Sequence, residues 1–184
     1  MNPTITLRPE TPADIAAIRD VTIAAFATLE ISGHTEQFIV AALRAAQVLT
    51  VSLVAEVDGR VVGHIAFSPV GISDGTTNWY GLGPISVLPE LQRQGIGKVL
   101  MAEGLTRLRN LDAGGCCLVG HPEYYRKFGF DNLPGLALDG VPPEVFLSLS
   151  FDGRVPQGKV AFHEAFAANP EEIDAQAKTS GSSE

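Results

Sequence analysis

The pattern of hydrophobic and polar positions predicts a chain that mixes strands and helices. Apolar stretches, several with alternating polar residues, predict strands at 4–8, 50–57, 60–70, 79–88, 116–119 and 145–151. Apolar positions at helical spacing predict two helices between 11 and 43 and two more between 95 and 128. Asp58-Gly59, between the second and third strands, is typical of a tight hairpin. The order of these elements predicts an α/β domain with a mixed sheet.

Two features of the pattern bear on the shape of that sheet. A helix separates strands 79–88 and 116–119, and a crossover of this length implies that the two strands pair in parallel. Gly81, Gly83 and Pro84 interrupt strand 79–88. They predict a bulge, or a place where a ligand approaches the backbone.

Composition agrees with one globular domain and restricts its partners. The 184 residues are 45% hydrophobic and 18% charged, which allows a sizeable core and argues against disorder. We expect 1–168 to form a single domain, and the acidic, Ser- and Gly-rich segment 169–184 to be a disordered tail. A net charge of −8, with no run of Lys and Arg, argues against a nucleic-acid partner.

The sequence also lacks the marks of a membrane or secreted protein. No apolar stretch approaches the ~20 residues that span a bilayer, and the N-terminus lacks a basic flank with an apolar centre. We therefore expect a cytoplasmic protein with no membrane partner. The sequence leaves the oligomeric state open, with a homodimer among the alternatives. Cys116 and Cys117 are adjacent rather than spaced as C-x-x-C, so we expect small core residues and no metal or redox pair.

The stretch 91–98 has the features of an anion-binding turn between a strand and a helix. It follows the apolar run 85–88, and Gly95 and Gly97 fall where the next helix begins. The first backbone N–H groups of a helix have no partner within it, and glycines let an anion approach them closely. The stretch lacks the Ser or Thr of a P-loop and the third glycine of a dinucleotide fingerprint. Neither nucleotide motif therefore applies.

Two motifs resemble those of a known superfamily. Gln92-x-x-Gly95-x-Gly97 resembles the acyl-CoA pyrophosphate motif of the GNAT superfamily of N-acetyltransferases, and Tyr125 with Gly129-Phe130 resembles its next motif, Y-x-x-x-G-F. The segments 119–125 and 158–166 look like the YhbS-like branch of that superfamily. The resemblance spans roughly 5–151 and implies the GNAT fold: a mixed, mostly antiparallel sheet of about six to seven strands with about four helices.

The resemblance also implies which residues bind the cosubstrate acetyl-CoA, without a metal. The pyrophosphate would lie on the turn formed by Gln92, Arg93, Gln94, Gly95, Ile96, Gly97 and Lys98. The pantetheine arm would run along the preceding strand at Ile85, Ser86 and Val87. The leaving thiolate, with a pKa near ~8.5, needs a proton, and a phenol with a pKa near ~10 can supply it. By its place in the motif, that phenol is Tyr125.

The general base is less defined. His121 is the first candidate, because it follows strand 116–119 and imidazole titrates near neutral pH. Many family members carry an Asn near this strand end, so Gly120-His121-Pro122 departs from the pattern. The alternatives are Glu30, His34 and Glu36 in the early helix-loop-helix, which forms the acceptor side in relatives, His64 on a strand, where a structural role is more common, and a water relay.

Three functions are consistent with these residues. The first is an N-acetyltransferase that moves the acetyl group of acetyl-CoA to an amine of a small molecule, peptide or protein, by direct attack in a ternary complex. The second is an acyltransferase with another acyl donor or a non-amine acceptor. The third is a non-catalytic CoA-binding module. Tyr125 argues against the third, because a pure binding module needs no acid.

Overall fold

The computed structural model describes residues 3–29 and 32–168, which form four α-helices and nine strands. The helices are α1 (Ile15–Phe26), α2 (Glu36–Ala45), α3 (Ile96–Asn110) and α4 (Pro122–Tyr125). The strands are β1 (Ile5–Pro9), β2 (Val51–Val57), β3 (Arg60–Pro69), β4 (Gly71–Ile72), β5 (Trp79–Val87), β6 (Gly115–Val119), β7 (Leu136–Ala137), β8 (Phe146–Ser150) and β9 (Gly158–Ala161). The predicted tail 169–184 lies outside the described residues.

Six strands form the main sheet, in the order β1-β2-β3-β5-β6-β8. The pair β5-β6 is parallel and the other neighbouring pairs are antiparallel. The predicted mixed, mostly antiparallel sheet with four helices is therefore confirmed. Asp58 and Gly59, which join β2 to β3, have φ of 52° and 76°. This is the left-handed geometry that the Asp-Gly pair predicts.

The parallel pair is short, and this shapes the site. Strand β5 pairs with β6 only where 79–81 face 115–117. The rest of β5 continues beside β3 alone, so its other edge has no strand partner among the described residues. The register between β3 and β5 shifts near Gly83 and Pro84, which confirms the predicted bulge. The two parallel strands thus leave an opening beyond Gly81.

Helices cover both faces of the sheet. On one face, α3 packs so closely that a Cβ on Gly104 would lie 2.4 Å from the Phe67 ring of β3. On the other face, Ile18 of α1 and Val40 of α2 pack against Val54 of β2. The two cysteines of β6 point to different clusters, Cys116 to the main core and Cys117 to a second one. Both are buried, as the sequence predicts for small core residues.

A polar cluster holds the entry to α1. The Asp14 carboxylate accepts a hydrogen bond from the Thr11 backbone N–H at 2.7 Å and pairs with Arg8 of β1 at 2.7 Å. Arg8 also pairs with Glu56 of β2. The Arg8 guanidinium, with help from Thr11, holds the pKa of Asp14 well below its usual range. The cluster therefore ties two strands to the start of the first helix.

His64 is fully buried on β3, beside Ser52 of β2. Its Nε2 lies 2.8 Å from the Ser52 hydroxyl, and its Nδ1 has no hydrogen-bond partner among the described residues. Burial, and to a lesser extent the charge of Arg44, lowers its pKa to about 3. A neutral, enclosed imidazole agrees with a structural role for His64 and gives it no path to a substrate.

This burial predicts a loss of stability in mild acid. In the unfolded chain His64 takes up a proton near pH ~6.5, whereas folded His64 resists protonation until the pH approaches its pKa of about 3. Between these values the unfolded state binds more protons, so the free energy of unfolding should fall as pH falls, by up to ~1.4 kcal/mol per pH unit. Urea unfolding from about pH 7 to about pH 5.5 measures this slope where carboxylates are still almost fully ionised.

Two variants separate His64 from the other histidines. His64→Gln keeps an amide that can bond to Ser52 and removes the titration, so its stability should vary little over the same pH range. His34→Gln, at an exposed position, should keep the wild-type slope. An unchanged slope in His64→Gln would assign the acid sensitivity to another group.

Three short strands form a second sheet, in the order β4-β9-β7. Ile72 of β4 and Val160 of β9 pack with Trp79, Phe146 and Cys117 in the second hydrophobic cluster. The hydrophobic pattern did not predict this sheet, because two of its strands have only two residues each. It covers the end of the main sheet where β5 and β6 are still paired.

Candidate active site

A cleft of about 430 Å³ lies at the opening beyond the β5-β6 pair. Its lining includes seven of the ten residues predicted to bind the cosubstrate: Ile85, Val87, Gln92, Arg93, Gly95, Gly97 and Lys98. Leu91 and Tyr124 complete the lining and were not among the predicted residues. The structure therefore brings the end of β5, the glycine turn and the start of α4 together around one cavity.

The glycine turn presents free backbone donors to this cleft. Arg93 and Gly95 both have left-handed backbone conformations, with φ of 62° and 90°. A Cβ on Gly95 would meet no atom within 4 Å, so its Cα faces open space. The backbone of Val99 makes the first helical bond, to Gly95. The N–H groups of 95–98 donate no backbone hydrogen bond within the described chain.

These donors make the turn a site for an anion. Helix α3 is 15 residues long, so its summed peptide dipoles place roughly half a positive charge at the same N–H groups. The exposed side chains of Arg93 and Lys98 add two full positive charges at the rim. An anionic group such as a phosphate fits this combination of charge and donors.

The two glutamines of the turn have local structural partners. The Gln92 side-chain amide donates a hydrogen bond to the Val87 carbonyl at 3.1 Å, which holds the turn to the end of β5. The exposed Gln94 amide donates to the Glu90 carbonyl at 3.4 Å. Ile96 is 2% exposed and anchors the helix in the core. Gln94 and Ile96 can therefore contribute their backbones to a ligand, while their side chains lie elsewhere.

Strand β5 offers an open edge beside the turn. Ile85 and Val87 line the cleft, whereas Ser86 is buried and its hydroxyl lies 3.5 Å from that of Thr22 in α1. Because β5 has no described neighbour at this edge, an extended ligand with amide groups can pair with it as an added strand. The predicted path of a pantetheine arm is thus available in this structure.

Two adjacent tyrosines stand at the β6 side of the opening, in edge-to-face contact with ring centroids 4.9 Å apart. Tyr124 lines the cleft and is 38% exposed. Tyr125 is half-buried, against Phe130 and the main core, and its ring covers Gly120 so closely that a Cβ there would lie 2.3 Å from it. The Tyr125 ring therefore lies beside the residue that follows β6. Tyr124 is the phenol nearer the glycine turn.

Both phenols are proton donors at neutral pH. Burial raises the pKa of Tyr125 to about 12, with a smaller contribution from Tyr124. Burial also raises the pKa of Tyr124. Neither hydroxyl is hydrogen-bonded to any residue described by the structure. Each can thus donate a hydrogen bond to a ligand without losing one to the protein.

The candidate bases lie at several places. His121 is exposed at the start of α4, where its carbonyl accepts hydrogen bonds from the backbones of Tyr124 and Tyr125, and its side chain does not line the cleft. His34 is exposed, and Glu36 accepts a hydrogen bond from Ser32. Glu30 lies outside the described residues. Of these candidate bases, only His121 lies close to the tyrosine pair in the sequence.

The described residues contain no group of three or more His, Cys, Asp or Glu side chains arranged to hold a metal ion. In the same ranges no helix has both the length and the apolar character needed to cross a membrane.

Sequence comparisons identify related proteins. A family model described as an acetyltransferase (GNAT) domain matches residues 49–132, which include the glycine turn and both tyrosines. The uncharacterized N-acetyltransferase YhbS of Escherichia coli K12 is 32% identical over 126 residues, covering 68% of this chain and 72% of YhbS. The uncharacterized N-acetyltransferase YjhQ of the same strain is 33% identical over 86 residues, covering 46% of this chain and 48% of YjhQ.

Solved structures share the fold. A GNAT family acetyltransferase from Brucella melitensis, in complex with acetyl-CoA, is 51% identical with a TM-score of 0.79, over 89% of this chain and 98% of that chain. YhbS from Escherichia coli, in complex with CoA, superposes with a TM-score of 0.82 at 28% identity, over 90% of this chain and 93% of that chain. The ligands of these two relatives are the acyl donor that the sequence motifs imply, and its thiol product.

Proposed function

Because this chain belongs to the GNAT family of N-acetyltransferases and is an acyltransferase, we propose that it transfers the acetyl group of acetyl-CoA directly to an amine. The acceptor is an amine of a small molecule, peptide or protein, which attacks while both substrates are bound. The observation that carries the proposal is the cleft between β5 and the tyrosine pair. It combines unpaired N–H groups of 95–98, two cationic side chains and an open strand edge.

The pyrophosphate, the pantetheine arm and the thioester of acetyl-CoA each have a matching surface at this cleft. The pyrophosphate lies on the N–H groups of the glycine turn, with Arg93 and Lys98 adding positive charge. The pantetheine amides pair with the open edge of β5 at Ile85, Ser86 and Val87. This placement directs the thioester toward the end of β6, where Tyr125 lies.

The reaction needs one bond formed, one broken and two proton transfers. The amine lone pair attacks the thioester carbonyl carbon, forming the C–N bond, and a backbone N–H of β5 stabilises the resulting oxyanion. The C–S bond then breaks, and the sulfur leaves with its electron pair. The amine proton goes to the base, and the thiolate receives a proton from Tyr125. The base then releases its proton to solvent and the Tyr125 phenolate takes one up, which restores both groups. The products are an acetylated amine and CoA with a free thiol.

The raised pKa of Tyr125 suits this role in one respect and opposes it in another. The phenol stays protonated throughout the neutral range, so it is always ready to donate. Its pKa of about 12 exceeds the ~8.5 of a thiol in water, which makes complete proton transfer unfavourable there. Desolvation in the same cleft also raises the pKa of the thiol. Tyr125 therefore donates a hydrogen bond to the developing thiolate, and the proton follows as the charge on sulfur grows.

His121 is the proposed base, since it adjoins the tyrosine pair. An imidazole base acts only when neutral, so kcat/KM should rise with pH through the range where imidazoles titrate. His121→Ala should flatten that rise and leave acetyl-CoA affinity unchanged, because its side chain does not line the cleft. His34→Ala, at the exposed histidine that is a competing candidate base, should keep the wild-type profile. A wild-type profile in His121→Ala would transfer the role to another residue or to water.

The function is tested by measuring the free CoA that the protein releases from an acyl-CoA donor in the presence of each of a panel of amines. The donors are acetyl-CoA and longer acyl-CoAs. We expect amine-dependent release, greatest with acetyl-CoA. Release with a longer donor alone, or with alcohols but not amines, would show a different acyltransferase. Tight CoA binding without release in the whole panel would favour a binding module.

A further inference from the structure

One cleft residue comes from a part of the chain distant from all the others. The lining runs from Ile85 to Lys98 along β5, the glycine turn and α3, and Tyr124 alone reaches it from α4. The ring of Tyr124 is held from behind by edge-to-face contacts with Tyr125 and Phe128, at centroid distances of 4.9 Å and 5.4 Å. Its position over the cleft is therefore set by packing.

The Tyr124 hydroxyl points to the first turn of α3. A Cβ built on Gly97 would lie 3.2 Å from this hydroxyl, closer than side chains normally approach. Gly97 has no positive φ, so its backbone conformation is open to any residue. The lack of a side chain at Gly97 is thus explained by the room that the hydroxyl needs.

The chemistry of this spot selects an anionic partner. The hydroxyl is a protonated donor with no hydrogen-bond partner among the described residues. It lies beside the unpaired N–H groups of 95–98 and the charge of Lys98. A group that accepts from all of these donors at once is a phosphate.

We propose that the Tyr124 hydroxyl donates a hydrogen bond to the pyrophosphate of the CoA donor, closing the glycine turn from the opposite side of the cleft. The inference rests on the proposed function, because it takes acetyl-CoA as the ligand. It gives the two tyrosines different roles. Tyr124 binds and positions the donor, while Tyr125 donates a proton to the sulfur. Gly97 then matters for the space it leaves to Tyr124 as well as for its own N–H.

Tyr124→Phe tests this division, because it removes the hydroxyl and keeps the ring contacts. Loss of a hydrogen bond to a charged phosphate predicts a rise in the Kd for CoA of about 10-fold to 100-fold, measured by calorimetry. The kcat at saturating acetyl-CoA should stay within about 2-fold of wild type, since binding is lost without loss of the acid. Tyr80→Phe is the matched control, because its hydroxyl bonds to Asn78 on an exposed turn.

A truncated donor identifies the group that Tyr124 contacts. Acetyl-pantetheine lacks the pyrophosphate, so kcat/KM with this donor should be the same for Tyr124→Phe and wild type. An equal loss with both donors would place the contact on the pantetheine arm and overturn the inference. A collapse of kcat with unchanged CoA affinity would make Tyr124 the acid, which also overturns it.

Gly97→Ala gives an independent test through coupling. The added methyl group should displace the hydroxyl and weaken CoA binding in the wild-type background. It should weaken binding much less in Tyr124→Phe, where no hydroxyl occupies the space. Strictly additive losses would contradict the proposed contact. Failure of the wild-type protein to bind CoA at all would instead refute the proposed function.

Discussion

Tyr125→Phe should lower kcat by ~10²–10⁴-fold while the protein still binds acetyl-CoA, which is the loss expected when a general acid is removed. The phenol is the donor nearest the end of β6, where the thioester is expected to lie. Without it, the sulfur must leave as an unassisted thiolate in a desolvated cleft. The affinity for acetyl-CoA should change little, because the glycine turn and the edge of β5 supply most of the proposed contacts with the donor, and the phenol contacts only its sulfur.

Tyr125→Phe should have little effect on the stability of the protein. A buried hydroxyl with a hydrogen-bonded partner would cost ~1–3 kcal/mol on removal. The Tyr125 hydroxyl has no such partner among the described residues, and the substitution keeps the ring contact with Phe130. We therefore expect a nearly unchanged melting temperature alongside the collapse of turnover.

Measured together on one preparation, Tm, Kd and kcat separate a catalytic from a structural tyrosine. Tyr80→Phe should leave all three near wild type, because its hydroxyl lies on an exposed turn. A Tyr125→Phe variant with parental turnover would refute its role as the acid and assign proton donation to another group or to water.

Gly95→Val should weaken CoA binding by ~100-fold or more, the loss expected when about two hydrogen bonds to a charged phosphate are removed. The space around the Gly95 Cα is open to the cleft, so a branched side chain would occupy the place of the ligand. The backbone there also has φ of 90°, which a β-branched residue rarely adopts. The variant therefore combines an obstruction with local strain.

Gly75→Val separates these two effects. Gly75 has φ of 87° and, like Gly95, no atom within 4 Å of an added Cβ, but it lies on the turn after β4. Both variants should lose a similar amount of stability, ~1–3 kcal/mol, from backbone strain. Only Gly95→Val should lose CoA affinity. Equal affinity losses in the two variants would show that strain alone explains the effect.

The elements with strong local signals were predictable from the sequence. The Asp58-Gly59 hairpin follows from turn chemistry, and the parallel pairing of β5 with β6 follows from the length of the crossover between them. The glycine turn was also found, because a strand, a break and a helix start are local features. Each of these follows from one continuous stretch of chain, the longest being the strand-helix-strand unit from β5 to β6.

The remaining features depend on contacts between distant segments. The sheet of β4, β9 and β7 pairs strands of two to four residues, too short for a hydrophobic period. The sequence predicts Tyr125 and not Tyr124 as a site residue, because the motif contains only Tyr125. The direction of each ring is set by tertiary packing, which the motif does not describe. The steric need for glycine at Gly97 and Gly120 arises from those same rings. The acceptor leaves no motif in the sequence.

A crystal structure of the protein with bound acetyl-CoA tests the central claim most directly. We predict that the pyrophosphate lies on the N–H groups of 95–98, that the pantetheine pairs with the open edge of β5, and that the Tyr125 hydroxyl lies within about 3.5 Å of the sulfur, a distance that permits proton donation. A ligand outside the β5-β6 opening, or a sulfur remote from Tyr125, would contradict the account.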